Sequence, residues 1–498
     1  MPSDKVNSFF KSRACALTFD DANLETGPAE FAPHEVNFAG RITRNVGTPL
    51  PIAGAAMSSV VGVQMAIALA KAGGIGSLPR SMDPEEQAKA VARVKHHVHG
   101  FIDEPIPAYA DETVESLLRR RAEKGWEFDS FPVLDEKGKF VGLMTHHNFK
   151  RCDNAGLLVG SVMTPLGQLV TREEGTTFQD AYKVLKECDK NVLPIMRKDG
   201  SVGFFTFADL KRIIDENTTH NIDEKNQLRV AGAVGVGDES LLRAELMVNK
   251  GVDVLHIDMA HGAQRVVVET IHRLKEKFRN GPDIMVGNVS NRAGTRYLLD
   301  AGVDGIVVGQ GGGSICTTRR ITGIGKPQLH AVWECAHEAQ GMDVGILADG
   351  GLRESGDLGK ALAAGATCGM VGNLIAGTDE APGEKHFDGT QFVKYYYGMG
   401  SLRAMKESAG SRQRYLHSQG AYVPEGVEGK VPYKGPVSSI LGQLAGGLRK
   451  TFHYVGARNL DELHYKADFM ELSVAGEIES HPHDIAIAAP VQGTLRTT

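Results

Sequence analysis

Short apolar runs, most of them ending on a glycine or a small polar residue and separated by stretches of helical period, constrain this chain more than any other feature. From Leu228 onward they fall at residues 230–236, 254–258, 284–288, 305–309, 345–349 and 369–372, and two more precede them at 51–56 and 74–78. Runs this short that alternate with helical segments are the pattern of βαβ units around a parallel sheet. The closing residues are Asp258, Asn288, Gly309, Asp349-Gly350-Gly351 and Gly372-Asn373. In a closed barrel the carboxyl ends of all strands open onto one face, where such barrels build their sites. The expected fold is α/β: a TIM-type (β/α)8 barrel whose pocket is assembled from segments far apart in the chain.

An internal repeat interrupts this alternation. Phe131-Pro132-Val133-Leu134, Val141-Gly142 and Thr145 return as Leu193-Pro194-Ile195-Met196, Val202-Gly203 and Thr206, an offset of about 61 residues. Each copy reads as strand, glycine turn, strand and short helix, preceded by an amphipathic helix at 115–124 or 178–188. The pattern resembles a tandem pair of CBS modules (a Bateman domain), which commonly bind adenine or guanine nucleotides as regulators. The plainer alternative is a duplicated α+β unit with only a packing role. The expected division is a first part of the barrel at residues 1–98, the pair at 99–218 (copies at about 99–158 and 159–218), and the rest of the barrel at 219–498.

Composition removes several function classes. The 61 acidic and 55 basic side chains leave a net charge of −6 with no long basic run, unlike the footprint of a nucleic-acid binder. No stretch approaches 18 consecutive apolar residues and the amino terminus lacks a signal-peptide pattern, so no membrane association is expected. The six cysteines form no CxxC pair, which fits a reducing, cytoplasmic setting and argues against structural zinc.

One of those cysteines stands in Gly309-Gln310-Gly311-Gly312-Gly313-Ser314-Ile315-Cys316-Thr317-Thr318-Arg319. Consecutive glycines let backbone approach a ligand closely and align amides and carbonyls for phosphate or ions. Alone, such a thiol is as readily a small buried hydrophobe. Its company changes the balance: Ala348-Asp349-Gly350-Gly351, Tyr396-Tyr397-Gly398-Met399-Gly400-Ser401 and Pro424-Glu425-Gly426-Val427-Glu428-Gly429 follow in order. Together these segments resemble the catalytic loop, ribose-phosphate segment, base-binding turn and mobile flap of the IMP dehydrogenase/GMP reductase family, over about residues 17–485.

The resemblance implies a purine-nucleotide oxidoreductase in which Cys316 adds to purine C2 and a hydride passes between that carbon and NAD or NADPH. It implies that Thr318 and Glu425 relay protons, with Arg414 and Tyr415 as a water-activating pair in a flap at about 402–435. Substrate (GMP or IMP) would be held by Ser314, Asp349, Gly351, Gly372, Asn373, Tyr396, Gly398, Met399, Gly400 and Glu425. The cofactor would lie on Asp258, Asn288, Gly309 and Gly311. A potassium ion would sit on Gly311, Gly313 and Cys316, completed by Glu479, Ser480 and His481 of a neighbouring subunit, in a homotetramer that also pairs into octamers.

Particular positions bear on the direction of the reaction. Arg414-Tyr415 matches the dehydrogenases. Met259 after Asp258, Tyr397 in Tyr396-Tyr397-Gly398-Met399, the run from Thr322 to Leu329 and His453-Tyr454-Val455-Gly456-Ala457 look like the reductases. Ser58 and Asn373 match neither. A reductase would keep an idle flap pair at little cost, so the sequence favours GMP reductase (GMP and NADPH to IMP, ammonia and NADP). The alternative is IMP dehydrogenase (IMP, NAD and water to XMP and NADH), and an inactive nucleotide-sensing scaffold is the third reading.

Overall fold

The computed structural model describes residues 2–97, 101–102, 105–126, 128–152, 154–215, 220–415 and 422–485. Eight parallel strands close into a barrel: β1 (Ile52–Gly54), β2 (Ile75–Leu78), β3 (Ala231–Val234), β4 (Val254–Asp258), β5 (Asp283–Val289), β6 (Gly305–Val308), β7 (Gly345–Asp349) and β8 (Cys368–Val371). Each pairs with its neighbours in chain order, and β8 closes on β1. All eight expected runs are strands. The runs 305–309 and 369–372 lose their closing glycine, which leaves the sheet at its carboxyl face, whereas Asp258 and Asp349 remain the last residues of their strands.

The barrel interior follows from strand alternation, which sends every second side chain inward. Ala53, Ile75, Ala231, Val254, Met285, Val307, Leu347 and Cys368, one from each strand, form a single buried cluster with Ile42 and Val46. Each large aliphatic member contributes roughly 1.5–3 kcal/mol by leaving water. Ile42 plugs the amino-terminal mouth. A Cβ at Gly305 or Gly345 would stand 2.4 or 2.2 Å from its carbonyl oxygen, so those strands begin on glycine.

The surrounding helices bury one stripe each, as in Arg265–Lys277, where Val267, Thr270, Ile271 and Leu274 recur at helical spacing. Their ends carry expected signals. Asn291 accepts from the Gly294 amide at 2.8 Å to start Arg292–Asp300, and left-handed Gly456 ends Val437–Val455. No described helix is long and apolar enough to cross a membrane.

The chain divides into two compact units, Met1–His97 with Thr219–Asp223 and Leu228–Thr498, and Val98–Thr218 with Glu224–Gln227. In the second, the hairpin Phe131–Leu134/Phe140–Met144 is repeated by Val192–Met196/Val202–Thr206. The preceding helices Val114–Lys124 and Phe178–Cys188 are capped alike by Thr113 and Thr177. Phe140, Leu143, Val202 and Phe204 pack the two copies together.

Candidate active site

The loop after β6 is possible only because it leaves the strand on glycine. Gly309 has φ 146°, and a Cβ there would lie 2.0 Å from the Asp349 carbonyl oxygen. The loop can therefore lie against the end of β7. Cys316 turns back on it, its amide donating to the Gly313 carbonyl at 3.0 Å, and its thiol donates to the Thr318 hydroxyl at 3.1 Å.

Two later segments are stitched to this loop through backbone. Thr317 N–H donates to the Glu425 carbonyl at 2.8 Å, Val427 N–H to Ile315 at 2.9 Å, and Glu425 N–H to Gly400 at 3.0 Å. Glu425 is thus fixed on both main-chain sides beside the thiol and the turn at 398–400.

Opposite, the strand ends place three polar side chains. Asn288 donates to the Gly309 carbonyl at 2.8 Å and to Asp349 Oδ2 at 2.7 Å, leaving its Oδ1 buried without a partner. Burial pushes Asp349 up to about 6, although the Asn288 hydrogen bond and Arg414 oppose it. Asp258 accepts from Arg414 Nε at both oxygens, 2.8 and 2.9 Å away, and Arg414 donates in turn to the Tyr415 hydroxyl at 2.9 Å. Burial alone would raise Asp258, but Arg414, His256 and Arg80 hold it below the usual carboxylate range. Against the same burial, Asp258 and Tyr415 hold Arg414 firmly charged, and burial lifts Tyr415 to about 12.

One pocket gathers the expected residues: Cys316, Thr318, Glu425, Arg414 and Tyr415, with Asp258, Asn288, Gly309, Gly311 and Gly313. Ser314, Asp349, Gly351, Gly372, Asn373, Tyr396, Gly398, Met399 and Gly400 line it too. Glu479, Ser480 and His481 are not among its lining residues; they end the helix Val474–Glu479 and its following turn, and His481 pairs with Glu477 at 3.0 Å. Residues 416–421 of the expected flap lie outside the described residues.

Sequence reasoning missed His256, Arg80, Gln413 and Lys434. His256 lines the pocket two residues before Asp258 on the same strand face; Nδ1 lies 3.2 Å from Ser77 Oγ and Nε2 is buried without a partner. Burial lowers it to about 4, so it is neutral. Its period-2 spacing from Asp258 was the available signal. Lys434 donates to the Asn373 carbonyl at 2.6 Å beneath the loop after β8. Ser58, a position that departs from the family pattern, meets Tyr397, hydroxyl to hydroxyl at 3.3 Å.

The model of the IMP dehydrogenase/GMP reductase domain matches residues 16–483. The chain belongs to the IMP dehydrogenase/GMP reductase family. It is 42% identical to inosine-5'-monophosphate dehydrogenase of Aquifex aeolicus over 95% of this chain and 96% of that protein. It is 40% identical to the enzyme of the same name from Halalkalibacterium halodurans, over 95% and 96%. Among solved structures, a GMP reductase variant from Trypanosoma brucei in complex with guanosine 5'-monophosphate superposes with TM-score 0.85 at 34% identity, over 96% of this chain and 99% of that one. As a member, the chain is an NAD(P)-dependent purine-nucleotide oxidoreductase built on a TIM barrel.

Proposed function

We propose that the chain is an IMP dehydrogenase, converting IMP, NAD⁺ and water to XMP and NADH. The observation that carries this reading is Arg414-Tyr415 docked on Asp258 in the pocket that holds Cys316. The sequence favoured the reductase on the premise that this pair is idle. A buried guanidinium matched to a carboxylate at both oxygens is costly to assemble and argues for a task. The curated relatives' names support the same direction.

In this reading the Cys316 sulfur adds to C2 of IMP, and loss of hydride from C2 leaves a thioimidate on the sulfur. When bound, the nicotinamide cofactor accepts that hydride. The unpartnered Asn288 Oδ1 suits its carboxamide N–H, with Asp258 beside it. Water then adds at C2 and the thiol is expelled, yielding XMP. Because Asp258 keeps Arg414 charged, Arg414 with Tyr415 orients and polarises that water. The proton leaves through Thr318, 3.1 Å from the sulfur, toward Glu425. Asp349 takes the ribose hydroxyls, with the phosphate on Ser314, Gly351, Gly372, Asn373 and Tyr396, while Gly398, Met399 and Gly400 flank the base. Potassium would be held by the Gly311, Gly313 and Cys316 carbonyls, with Glu479, Ser480 and His481 of a neighbouring subunit completing the site in a tetramer. Purine nucleotides at the CBS pair regulate tetramer pairing.

GMP reduction is the second reading. Fully buried Met259 beside Asp258, Tyr397 in the base turn and the Trypanosoma brucei structure favour it. The two separate in one assay with potassium present. IMP plus NAD⁺ should produce reduced cofactor, and GMP plus NADPH should leave it unconsumed. The reverse pattern overturns the proposal, and silence in both points to the scaffold.

Asp349 supplies a pH test. Its folded pKa, near 6, lies above its ordinary 3.8, so its protonated form stabilises the free protein at low pH, and that contribution is lost as pH rises through about 6. Ribose hydroxyls donate to the ionised form, so binding must expel the proton. Nucleotide affinity should weaken below about pH 6 by up to about tenfold per pH unit. Calorimetric titration should show the slope in the unmodified protein and its loss in Asp349→Asn; an unchanged slope there removes Asp349 from the ribose.

A further inference from the structure

We propose that Arg80 and Gln413 form a latch that sets how long the segment bearing Arg414 stays on Asp258, and so how strongly that segment competes with the nicotinamide cofactor. The inference rests on the reading that the cofactor uses the Asp258 side of the pocket.

Arg414 occupies both oxygens of Asp258, and its carbonyl accepts from the Ala260 amide at 3.1 Å. A cofactor that reaches this carboxylate therefore requires residues 409–415 to move off. Besides these contacts of Arg414, the segment is held through the side chain of Gln413. Gln413 Oε1 accepts from Arg80 at 2.7 Å, and Gln413 Nε2 donates to the Val236 carbonyl at 3.0 Å. The Arg80–Gln413 pair fills the space a side chain at residue 235 would need: a Cβ on Gly235 would lie 1.9 Å from Gln413 Oε1 and 2.0 Å from the Arg80 guanidinium. Gly410 also packs against Arg80, with its Cβ position 2.7 Å from the Arg80 carbonyl oxygen.

Arg80 is an unusual anchor. It is 3% exposed, and among the described residues no carboxylate lies within ion-pair distance. Among the described residues its side chain reaches, besides Gln413, only the Met259 sulfur, at 3.9 Å, and its Nε has no partner. A buried guanidinium in that state is poorly compensated. Its one strong acceptor rides on the segment that must leave. A neutral amide at residue 413 holds the segment moderately; a carboxylate there would form a buried ion pair and hold it tightly. Gln413 and Arg80 touch no reacting atom and are positioning residues.

The test titrates NAD⁺ calorimetrically into IMP-saturated protein carrying Cys316→Ala, which blocks turnover. Adding Gln413→Ala should tighten cofactor binding about five- to tenfold, and Gln413→Glu should weaken it by a similar factor. Arg80→Gln should match Gln413→Ala, and the double variant should gain nothing more, since both remove one contact. Identical affinities across the series, in proteins of unchanged melting temperature, overturn the latch. Turnover with Cys316 restored tests the underlying reading separately. In a dehydrogenase Gln413→Ala lowers kcat and accumulates the Cys316 adduct, whereas in a reductase cofactor affinity still rises but kcat does not fall.

Discussion

Replacing Cys316 by alanine should leave IMP affinity within a few-fold of the unmodified protein while turnover falls by about 10⁴-fold or more. On the proposed reading the nucleotide would be held by glycine amides, Asp349 and Tyr396, none of which depends on the sulfur. Covalent addition, in contrast, has no substitute. Cys335 and Cys368 are fully buried away from the pocket, and burial pushes the first thiol up to about 12 and the second higher still. Cys15 and Cys188 are exposed and do not line it. Initial rates with calorimetric binding check both halves. Mass spectrometry of the working enzyme should find nucleotide bonded to the Cys316 peptide. Near-normal turnover in the variant would end the mechanism in either direction of reaction.

The second large effect is expected at Arg414. In Arg414→Ala the hydride step retains Cys316, Thr318 and the strand-end groups, so one reduced cofactor per active site should appear in a burst. On the dehydrogenase reading hydrolysis would then lack the group that orients water, and the steady rate should drop on the order of 10²–10³-fold. Rapid mixing resolves the burst, and the trapped Cys316 adduct should dominate after quenching. A steady rate equal to that of the unmodified protein would return the assignment to GMP reduction. The variant also strands Asp258, which is 4% exposed and loses its main compensating charge. Removing one partner of a buried pair typically costs about 3–5 kcal/mol, reduced here by the Arg80 charge nearby. Kinetic measurements therefore belong well below the lowered melting temperature.

Much of the site was legible in the chain because barrel strands place their carboxyl ends together whatever lies between them. Asp258, Asn288, Gly309 and Asp349 each close a run, so recognising the runs was enough to predict a shared pocket. The glycines of the catalytic loop were readable for a related reason. A position such as Gly309, with φ 146° and the Asp349 backbone against it, admits no other residue. Side chains that meet across long separations left no such trace. Arg80 and Gln413 stand 333 residues apart, and each looks like an ordinary surface residue in sequence.

The direction of the reaction shows the same division. Local motifs set Arg414-Tyr415 against positions such as Met259 and Tyr397, and the sequence leaned toward the reductase on the ground that such an enzyme could keep the pair at little cost. Folding brings Arg414-Tyr415 and Met259 into one cluster, with Arg414 on Asp258 and Met259 against Arg80, while Tyr397 meets Ser58 and Ser59 instead. Period, punctuation and glycine placement are encoded locally, because they express the backbone's own conformational limits, and they determined the barrel and the glycine loop that carries Cys316. Which charges face each other is decided only when the barrel closes: electrostatic pairing depends on distance through space, and the folded protein supplies that distance.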